Sequence, residues 1–415
     1  MTDSTPKNAS ASREKIYPNL IGGVLEALET TFGKDVYADK AIERLFKANR
    51  KWGARDRAFV AESVYGMVRH WRLLWYLMGE EPTLKRRKLY KLFALYRLTT
   101  GKYLPPDNPI WADIFARWPE ISIAWSELKN PNILESFPDW LAGLISPGKD
   151  WVSLSRRLNQ PAELHIRVNT LLSTREEVRE ILRSEGIEAT PLPYSEVGLT
   201  LSERINVFRL DSFRKGLYEV QDGGSQLIVP FLDPKPGERI IDACAGAGGK
   251  SLHLAASMHN KGQIIALDID EYKLSELRRR ASRNKVDTIE TRLIDTSKVI
   301  KRLRHAADKL LLDVPCTGTG VIRRNPDTKW KLREEYFQRV LSIQREILDT
   351  YTDMLRPGGT MVYATCSLIE DENQRQVDAF LKRKNGEYTL LRERQILPTE
   401  QDSDGFYMAL IQKNG

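Results

Sequence analysis

The chain has 415 residues, more than one compact core normally organises, so we expect two or three domains. Its 41% hydrophobic and 29% charged residues are typical of a globular protein, and the polar segment 1–15 lacks the apolar run of a secretory signal or membrane span. The formal net charge of +8 favours an anionic partner, because lysine and arginine that neutralise phosphates release counterions. We therefore expect a cytoplasmic protein without a membrane partner, with residues 1–14 as a disordered tail.

The first domain that the sequence predicts is helical. Apolar residues recur at helical spacing from about residue 15 to residue 104, with few strand-like alternations. A basic stretch within it, residues 85–102, interleaves lysine and arginine with aromatic residues and has no acidic residue. It is either an RNA-binding face or a solvated helix face over a buried apolar stripe. Prolines from residue 105 onwards interrupt the pattern, and we assign residues 15–135 to this domain.

A small α+β module is predicted for residues 136–220. Its strand-like run is followed by a helix and by short alternating segments, at 164–169, 173–184, 197–201 and 207–210. Within this module, Arg167 and Asn169 are candidate contacts to RNA phosphate or sugar.

The remainder of the chain, 221–415, alternates apolar strands with amphipathic helices. Strands are predicted near 239–243, 263–268, 309–313 and 360–365, and helices near 251–258, 272–284 and 338–355. This alternation predicts an α/β domain with a doubly wound, Rossmann-like parallel sheet.

The first strand of this domain runs into a glycine-rich turn that we call the cofactor loop. Its residues are Cys244, Ala245, Gly246, Ala247, Gly248, Gly249 and Lys250. Glycines at a strand-to-helix turn let backbone amides approach a ligand at the helix N-terminus. A phosphate-binding loop would need glycine at position 244, and a dinucleotide fingerprint fails at Ser251. Neither nucleotide motif is complete.

Two aspartates follow the next strands at positions suited to a nucleoside. Asp268 ends the second strand, where a carboxylate receives ribose hydroxyls. Asp295 stands where a third strand would end; it is a candidate partner for an adenine amino group, or else a helix cap. S-adenosyl-L-methionine carries such a ribose without any phosphate, so we expect it as the cofactor.

Two cysteines outside the cofactor loop follow further predicted strands. Cys316 comes just after Asp313 and the strand at 309–313, and Cys366 ends the strand at 360–365. Ligands of open α/β sheets bind at the carboxyl edge, so both thiols face one crevice. Methylation of a pyrimidine at C5 needs such a thiol, because C5 becomes nucleophilic only after a thiolate adds to C6.

Spacing alone leaves the two thiols interchangeable, one to attack and one to assist release. Asp313 is a candidate to stabilise charge at N3 and the exocyclic amine of the base. The third cysteine, Cys244, is remote in sequence from both, and no disulfide framework is expected. Cysteines and histidines show no metal-ligand spacing, so we predict no metal.

From about residue 15 to the C-terminus, the chain resembles the Sun/Fmu-type RNA cytosine-5 methyltransferases. The motifs that carry the resemblance lie at 167–169, 221–226, 242–250, 313–316, 320–327 and 363–367. The resemblance implies that Cys366 is the nucleophile and that Cys316 helps to release the product. It also implies cofactor contacts from the cofactor loop and from Asp268, Asp295 and Asp313. One departure is Ala247, where the family usually has proline; it leaves the loop less rigid.

The resemblance further implies a NusB-like RNA-binding role for the helical domain and 16S ribosomal RNA as substrate. We expect the protein to act as a monomer. Arg323 and Arg324 are candidates to hold phosphates beside a flipped base, and Trp330 either stacks on a base or anchors the next helix. Alternatives that stay open are another RNA such as tRNA, a nucleotide hydrolase built on residues 249–251, and a non-catalytic RNA chaperone.

Overall fold

A computed structural model describes residues 16–106, 108–203 and 205–415. The chain divides into two compact units. One runs to Asn159 and includes Asn325–Lys331; the other comprises Gln160–Arg324, apart from residue 204, and Leu332–Gly415. Among the described residues, no helix combines the length and apolar character that crossing a bilayer requires. The domain limits at residues 135 and 220 stay predictions.

The first unit is built from helices, as the periodicity predicts. In α1 the apolar residues Leu20, Val24, Leu25 and Leu28 are all buried, because this spacing places them on one face. The helices are α1 (Pro18–Gly33), α2 (Ala38–Ala48), α3 (Ala54–Arg69), α4 (Trp71–Met78), α5 (Arg86–Thr99), α6 (Ala112–Glu127), α7 (Pro131–Leu134), α8 (Asp139–Ile145), α9 (Trp151–Leu158) and, from the later segment, α17 (Thr328–Lys331).

The later segment, Asn325–Lys331, is anchored within this unit. The buried Lys329 ammonium donates to the carbonyl of Arg69 at 2.7 Å and to Asn159 Oδ1 at 2.8 Å. The indole of Trp330 donates to the carbonyl of Val68 at 2.7 Å and packs against the helical core. The arrangement favours the anchoring role of Trp330 over stacking on a base.

The basic stretch at 85–102 is largely neutralised. Its lysines and arginines pair with acidic residues of the same unit: Arg86 with Glu29, Lys88 with Glu80, Lys91 with Asp113, and Lys102 with Glu62. Its aromatic residues Phe93 and Tyr96 are buried in the helical core. The stretch is therefore a helix surface over an apolar stripe, with four of its cations paired, which favours the solvated helix face of the two interpretations.

The second unit begins with a small antiparallel sheet, order β2-β3-β1-β4, with α10 packed on it. The elements are β1 (Leu164–Val168), α10 (Arg175–Ser184), β2 (Ala189–Pro191), β3 (Gly198–Leu201), α11 (Asp211–Arg214) and β4 (Tyr218–Val220). The predicted strands at 164–169 and 197–201 are present. The segment expected to alternate near 207–210 is a 3₁₀ turn instead, Val207–Arg209, because only Val207 faces the core.

A seven-stranded sheet follows, in the order β10-β11-β9-β8-β5-β6-β7. Its elements and flanking helices are α12 (Gly223–Gln226), α13 (Ile228–Leu232), β5 (Arg239–Asp242), α14 (Gly249–Ser257), β6 (Gln263–Asp268), α15 (Glu271–Arg283), β7 (Ile289–Leu293), α16 (Ser297–Arg302), β8 (Ala307–Asp313), α18 (Glu334–Tyr351), β9 (Leu355–Thr365), α19 (Gln374–Arg383), β10 (Tyr388–Ile396) and β11 (Phe406–Lys413). Strands β5 to β9 are parallel, which confirms the Rossmann-like fold class.

The edge formed by β10 and β11 is antiparallel and was not predicted. In β10 both ends are buried but most of the residues between them are exposed, so the apolar alternation that marks a half-buried strand is weak. The parallel core nevertheless brings the carboxyl ends of β5, β6, β8 and β9 to one side of the sheet, where Asp242, Asp268, Asp313 and Thr365 end their strands.

Candidate active site

The two predicted reactive thiols meet at this edge. Strands β8 and β9 are neighbours in which Asp313 lies opposite Ala364, so the turns that follow them start side by side. The Sγ atoms of Cys316 and Cys366 are 3.2 Å apart, and both side chains are half-buried. The structure thus brings together two residues that are fifty positions apart in the chain.

Close backbone packing fixes this approach. The N–H of Gly320 donates to the carbonyl of Cys366 at 2.9 Å, and the N–H of Gly405 donates to the carbonyl of Gly320 at 2.9 Å. A Cβ atom at Gly320 would collide with the backbone of Gly405, so the turn after Cys316 requires glycine at that position.

Lys250 and Asp313 form an ion pair beside the thiols. The Lys250 ammonium, at the start of α14, is bonded to Asp313 Oδ2, and both side chains are largely shielded from solvent. Burial lowers the pKa of Lys250, but the charges of Asp313 and of Cys366 more than offset this, and the net pKa is raised. Because electrostatic attraction is mutual, the ammonium also stabilises negative charge on the Cys366 sulfur. Two residues that were both predicted to contact the cofactor therefore form one pair.

The cofactor loop is shaped by glycine and by Asp268. Gly246 and Gly248 have φ values of +54° and +85°, which favour glycine, and a Cβ atom at Gly248 would collide with Leu277. Asp268 accepts the N–H of Gly246 at 2.8 Å through Oδ2 and the N–H of Asp270 at 2.9 Å through Oδ1. The carboxylate therefore orients the loop while each oxygen retains capacity for a further donor.

Two arginines, one on α15 and one in the small module, hold the loop. Arg280 donates to the carbonyl of Ala247 at 2.6 Å and to Glu219 of β4 at 2.9 Å. Arg167 of β1 donates to the carbonyl of Gly249 at 2.7 Å. The loop that lacks the family's proline is thus held by two arginine side chains.

A buried acid, Asp242, and a half-buried thiol, Cys244, stand where β5 runs into the loop. Burial raises the pKa of Asp242 to about 7, although Ser251 donates to Oδ2 of its carboxyl at 2.6 Å. Burial also raises the pKa of the Cys244 thiol well above its ordinary value, with the carboxylates of Asp242, Asp313 and Asp268 adding to the effect. The raised pKa disfavours nucleophilic chemistry at Cys244.

Asp295 lies outside this cluster of bonded side chains. It follows β7, where the N–H of Ile294 donates to the carbonyl of Asp268 at 2.9 Å, and its side chain is exposed. Its carboxylate accepts a hydrogen bond from the Thr296 hydroxyl at 3.3 Å. Its contact with an adenine amino group stays a prediction.

The four residues expected to touch RNA are engaged by protein atoms. Arg167 and Arg323 are each 1% exposed, and Asn169 is 3% exposed. Asn169 donates to the carbonyls of Gly216 and Asn284, both at 3.0 Å. These three side chains are not available to a phosphate, and we do not propose them as RNA contacts.

The last of the four, Arg324, is half-buried between two acids. It donates to Asp222 at 2.7 Å and to Asp404, while its neighbour Arg323 donates to the carbonyl of Ser403 at 3.1 Å. These arginines bind the segment before β11 to the turn after Cys316, and the contact of Arg324 with RNA stays a prediction.

Sequence reasoning missed two further acids at this site, Asp242 and Glu372. Asp242 ends β5 in the motif that carries the resemblance, so its position was visible even though its burial was not. Glu372 follows Cys366 within a run of acidic residues that gives no local signal of burial, yet it is fully buried. Across the described residues, no group of three or more His, Cys, Asp or Glu side chains is arranged to hold a metal ion.

Two family models match separate parts of the chain. Residues 229–412 match the model described as 16S rRNA methyltransferase RsmB/F. Residues 137–208 match the ferredoxin-like domain of RsmF/B-like methyltransferases, which corresponds in large part to the small antiparallel sheet.

Curated relatives and solved structures extend the similarity. Ribosomal RNA small subunit methyltransferase B of Vibrio cholerae is 37% identical over 66% of this chain, an alignment that spans 65% of that protein. The protein of the same name from Pectobacterium atrosepticum is 36% identical over 87% of this chain and 91% of its own length. The crystal structure of PH0851 superposes with a TM-score of 0.78 at 27% identity, covering 97% of this chain and all of that one.

Proposed function

The chain belongs to the RsmB/F family of 16S rRNA methyltransferases, and on that premise we propose that it methylates C5 of a cytosine in 16S ribosomal RNA. The methyl donor in this proposal is S-adenosylmethionine, and the nucleophile is Cys366. The observation that carries the proposal is the pair of thiols 3.2 Å apart at the carboxyl edge of the sheet. A single buried cysteine is usually inert, whereas two opposed thiols beside an ion pair suit addition and elimination on a pyrimidine ring.

The residues around the loop fit S-adenosylmethionine better than a nucleoside triphosphate. Asp268 offers acceptor oxygens to neutral ribose hydroxyls, and Gly246 and Gly249 leave open space where other residues would carry a Cβ atom. Beyond Asp268, the Ile269 side chain is 74% exposed and provides an apolar surface for an adenine ring. A triphosphate would meet carboxylates instead, and the lysine that would neutralise it is bonded to Asp313. When bound, the sulfonium cofactor supplies an electrophilic methyl group.

Cys366 is the thiol that the electrostatics favour as nucleophile. The pKa of Cys316 is raised well above its ordinary value, first by its hydrogen bond with Cys366 and then by burial. Cys316 therefore keeps its proton at neutral pH and is the weaker nucleophile of the two, which favours Cys366 as the residue that attacks, in its thiolate form. Addition of that thiolate to C6 forms the carbon–sulfur bond and moves an electron pair to C5, which then attacks the methyl group.

In this proposal the Asp313–Lys250 pair contacts the side of the pyrimidine ring that lies across from C6. It holds a proton between a carboxylate and an ammonium, which suits N3 and the exocyclic amine as negative charge develops there. After methyl transfer the C5 proton passes to a solvent base, its electron pair forms the C5–C6 double bond, and the bond from C6 to sulfur breaks to return Cys366 as a thiolate. The Cys316 sulfur is close enough to exchange a proton with Cys366 at this step.

Cysteine variants test the assignment with labelled cofactor and transcribed 16S ribosomal RNA. Cys366→Ala is expected to abolish methyl transfer while cofactor binding persists, and normal turnover would contradict the nucleophile. Cys316→Ala is expected to accumulate a covalent protein–RNA adduct on a denaturing gel; loss of activity without adduct would reverse the two roles. Cys244→Ala, which removes the third thiol, is expected to affect methyl transfer only through cofactor binding, because Cys244 stands in the cofactor loop.

A further inference from the structure

One buried carboxylate joins the two turns that carry the thiols. Thr317, directly after Cys316, donates its N–H to Glu372 Oε2 at 2.8 Å and its hydroxyl to Oε1. Ser367, directly after Cys366, donates its hydroxyl to the same Oε1. A single side chain therefore bonds to the residue that follows each thiol.

The Glu372 carboxylate accepts one further hydrogen bond from a third segment. Gln344 of α18 donates to Glu372 Oε2 at 3.0 Å, so each carboxylate oxygen accepts two hydrogen bonds. All these donors are neutral groups. A fully buried carboxyl compensated in this way loses free energy if its partners move apart, because a buried acceptor without donors is costly.

We propose that Glu372 is a positioning residue that sets the distance and orientation between the Cys316 and Cys366 thiols by holding Thr317 and Ser367 together. The importance of this distance for methyl transfer rests on the proposed function. The distance itself is open to measurement without methyl transfer, so the two proposals fail separately.

Loss of the Glu372 charge and loss of its positioning effect change the rate of thiol oxidation in opposite directions. The charge of Glu372 is one of the causes of the raised pKa of Cys316, after the hydrogen bond with Cys366, burial and the charge of Cys366. Removing the carboxylate therefore favours the thiolate and speeds thiol oxidation, whereas loss of position slows formation of a bond between the two sulfurs. A variant that forms the disulfide more slowly than the parent chain has therefore lost the positioning of the thiols.

The experiment is oxidation of the full chain with diamide, an azodicarboxamide. The two thiols lose two protons and two electrons, these reduce the N=N bond to a hydrazine, and a Cys316–Cys366 disulfide forms. Mass spectrometry follows the loss of two hydrogen atoms and identifies the linked peptides. The variants are Glu372→Ala, Glu372→Gln and Glu372→Asp. Asp371→Asn is the matched control, because Asp371 lies in the same turn and pairs with Arg375 on α19.

Glu372→Ala is expected to slow disulfide formation about tenfold or more and to lower kcat about 100-fold, since a displacement near 1 Å has effects of this size. The KM for S-adenosylmethionine stays unchanged, because the cofactor loop does not touch Glu372. Glu372→Gln is expected to recover most of both rates, since its carbonyl oxygen can accept from Thr317 and Gln344 while its amide donates to the hydroxyl oxygens. Asp371→Asn is expected to behave as the parent chain.

Oxidation of folded Glu372→Ala at the parental rate would overturn the proposal, as would equal slowing in Asp371→Asn. If the Glu372→Ala variant does not fold, the rate of disulfide formation in Glu372→Asp tests the proposal instead. It keeps the charge but is one methylene too short to hold both turns, so parental oxidation in that variant would also overturn the proposal. Slow oxidation in Glu372→Ala combined with normal methyl transfer by Cys366→Ala would remove the proposed function and leave the positioning role intact.

Discussion

Asp242→Asn is expected to stabilise the protein, and to do so more strongly as the pH rises. The wild-type carboxyl is buried under the cofactor loop, with its pKa raised from 3.8 to about 7. A group whose pKa is raised in the folded state binds more protons folded than unfolded between these two values. Its contribution to stability therefore falls as pH rises through this window and is fully unfavourable above pH 7. Asparagine keeps the shape and can still accept the hydrogen bond from Ser251.

The magnitude follows from the width of this window. A gap of about three pH units corresponds to about 4 kcal/mol at pH 8, since each unit is worth about 1.4 kcal/mol. At pH 5 only the first part of the window has been crossed, and the unfavourable contribution is under about 2 kcal/mol. The gain from Asp242→Asn is therefore expected to be about 2 to 3 kcal/mol larger at pH 8 than at pH 5.

Urea unfolding at fixed ionic strength from pH 5 to pH 8 measures this difference directly. The free energies of unfolding of the parent and the variant are compared at each pH, with the m-value as a check on the surface exposed. Asp287→Asn is a matched control, because that carboxylate is exposed and bonds to the side chain of Asn260 on the surface. A constant difference between Asp242→Asn and the parent across the range would refute the reasoning.

Two further substitutions test the loop and the helical unit. Ala247→Pro, the residue usual in the family, is expected to raise the free energy of unfolding by about 0.4 to 1 kcal/mol and to tighten cofactor binding. The reason is that the Ala247 carbonyl accepts from Arg280, whereas its N–H, the group that proline lacks, donates no backbone hydrogen bond among the described residues. Weaker binding by calorimetry would show that proline disturbs the contact with Arg280. In the helical unit, a concave surface of about 370 Å³ is lined by Phe46 and Arg50 among others, and Arg50 is an exposed cation. If this unit binds RNA, Arg50→Ala is expected to lower the salt dependence of binding to single-stranded RNA by about 0.7 in the log–log slope. Arg87→Ala, an equal charge change in the basic stretch, is the control, and equal effects of both variants would show that only net charge matters.

The cofactor loop and the strands around it were visible in the sequence because their signals are local. Apolar runs that end in Asp242, Asp268 and Asp313 locate three strands within a residue or two of their positions in the structure. Glycine at positions 246 and 248 marks a turn that needs positive φ, and both residues have it. Since ligands bind where parallel strands end, these signals were sufficient to place Cys316 and Cys366 at one edge.

The roles of the charged side chains depended on partners far away in the chain. Arg323 bonds to Asp402, and Lys250 bonds to Asp313, across separations of 79 and 63 residues. No periodicity records such pairs, and an arginine in a motif looks the same whether it faces solvent or the interior. The predicted RNA contact of Arg167 was therefore replaced by a buried bond to the cofactor loop.

The sequence by itself determined the alternation of strands and helices, the glycine-rich loop and the presence of two thiols at strand ends. Only the tertiary structure decided that the thiols are 3.2 Å apart, that Lys250 pairs with Asp313 and that Glu372 joins the turns after both cysteines. The physical reason is the distance along the chain over which each effect acts. Backbone preferences and apolar periodicity act over a few neighbouring residues, whereas burial and hydrogen bonding of a charged group depend on which distant segments fold against it.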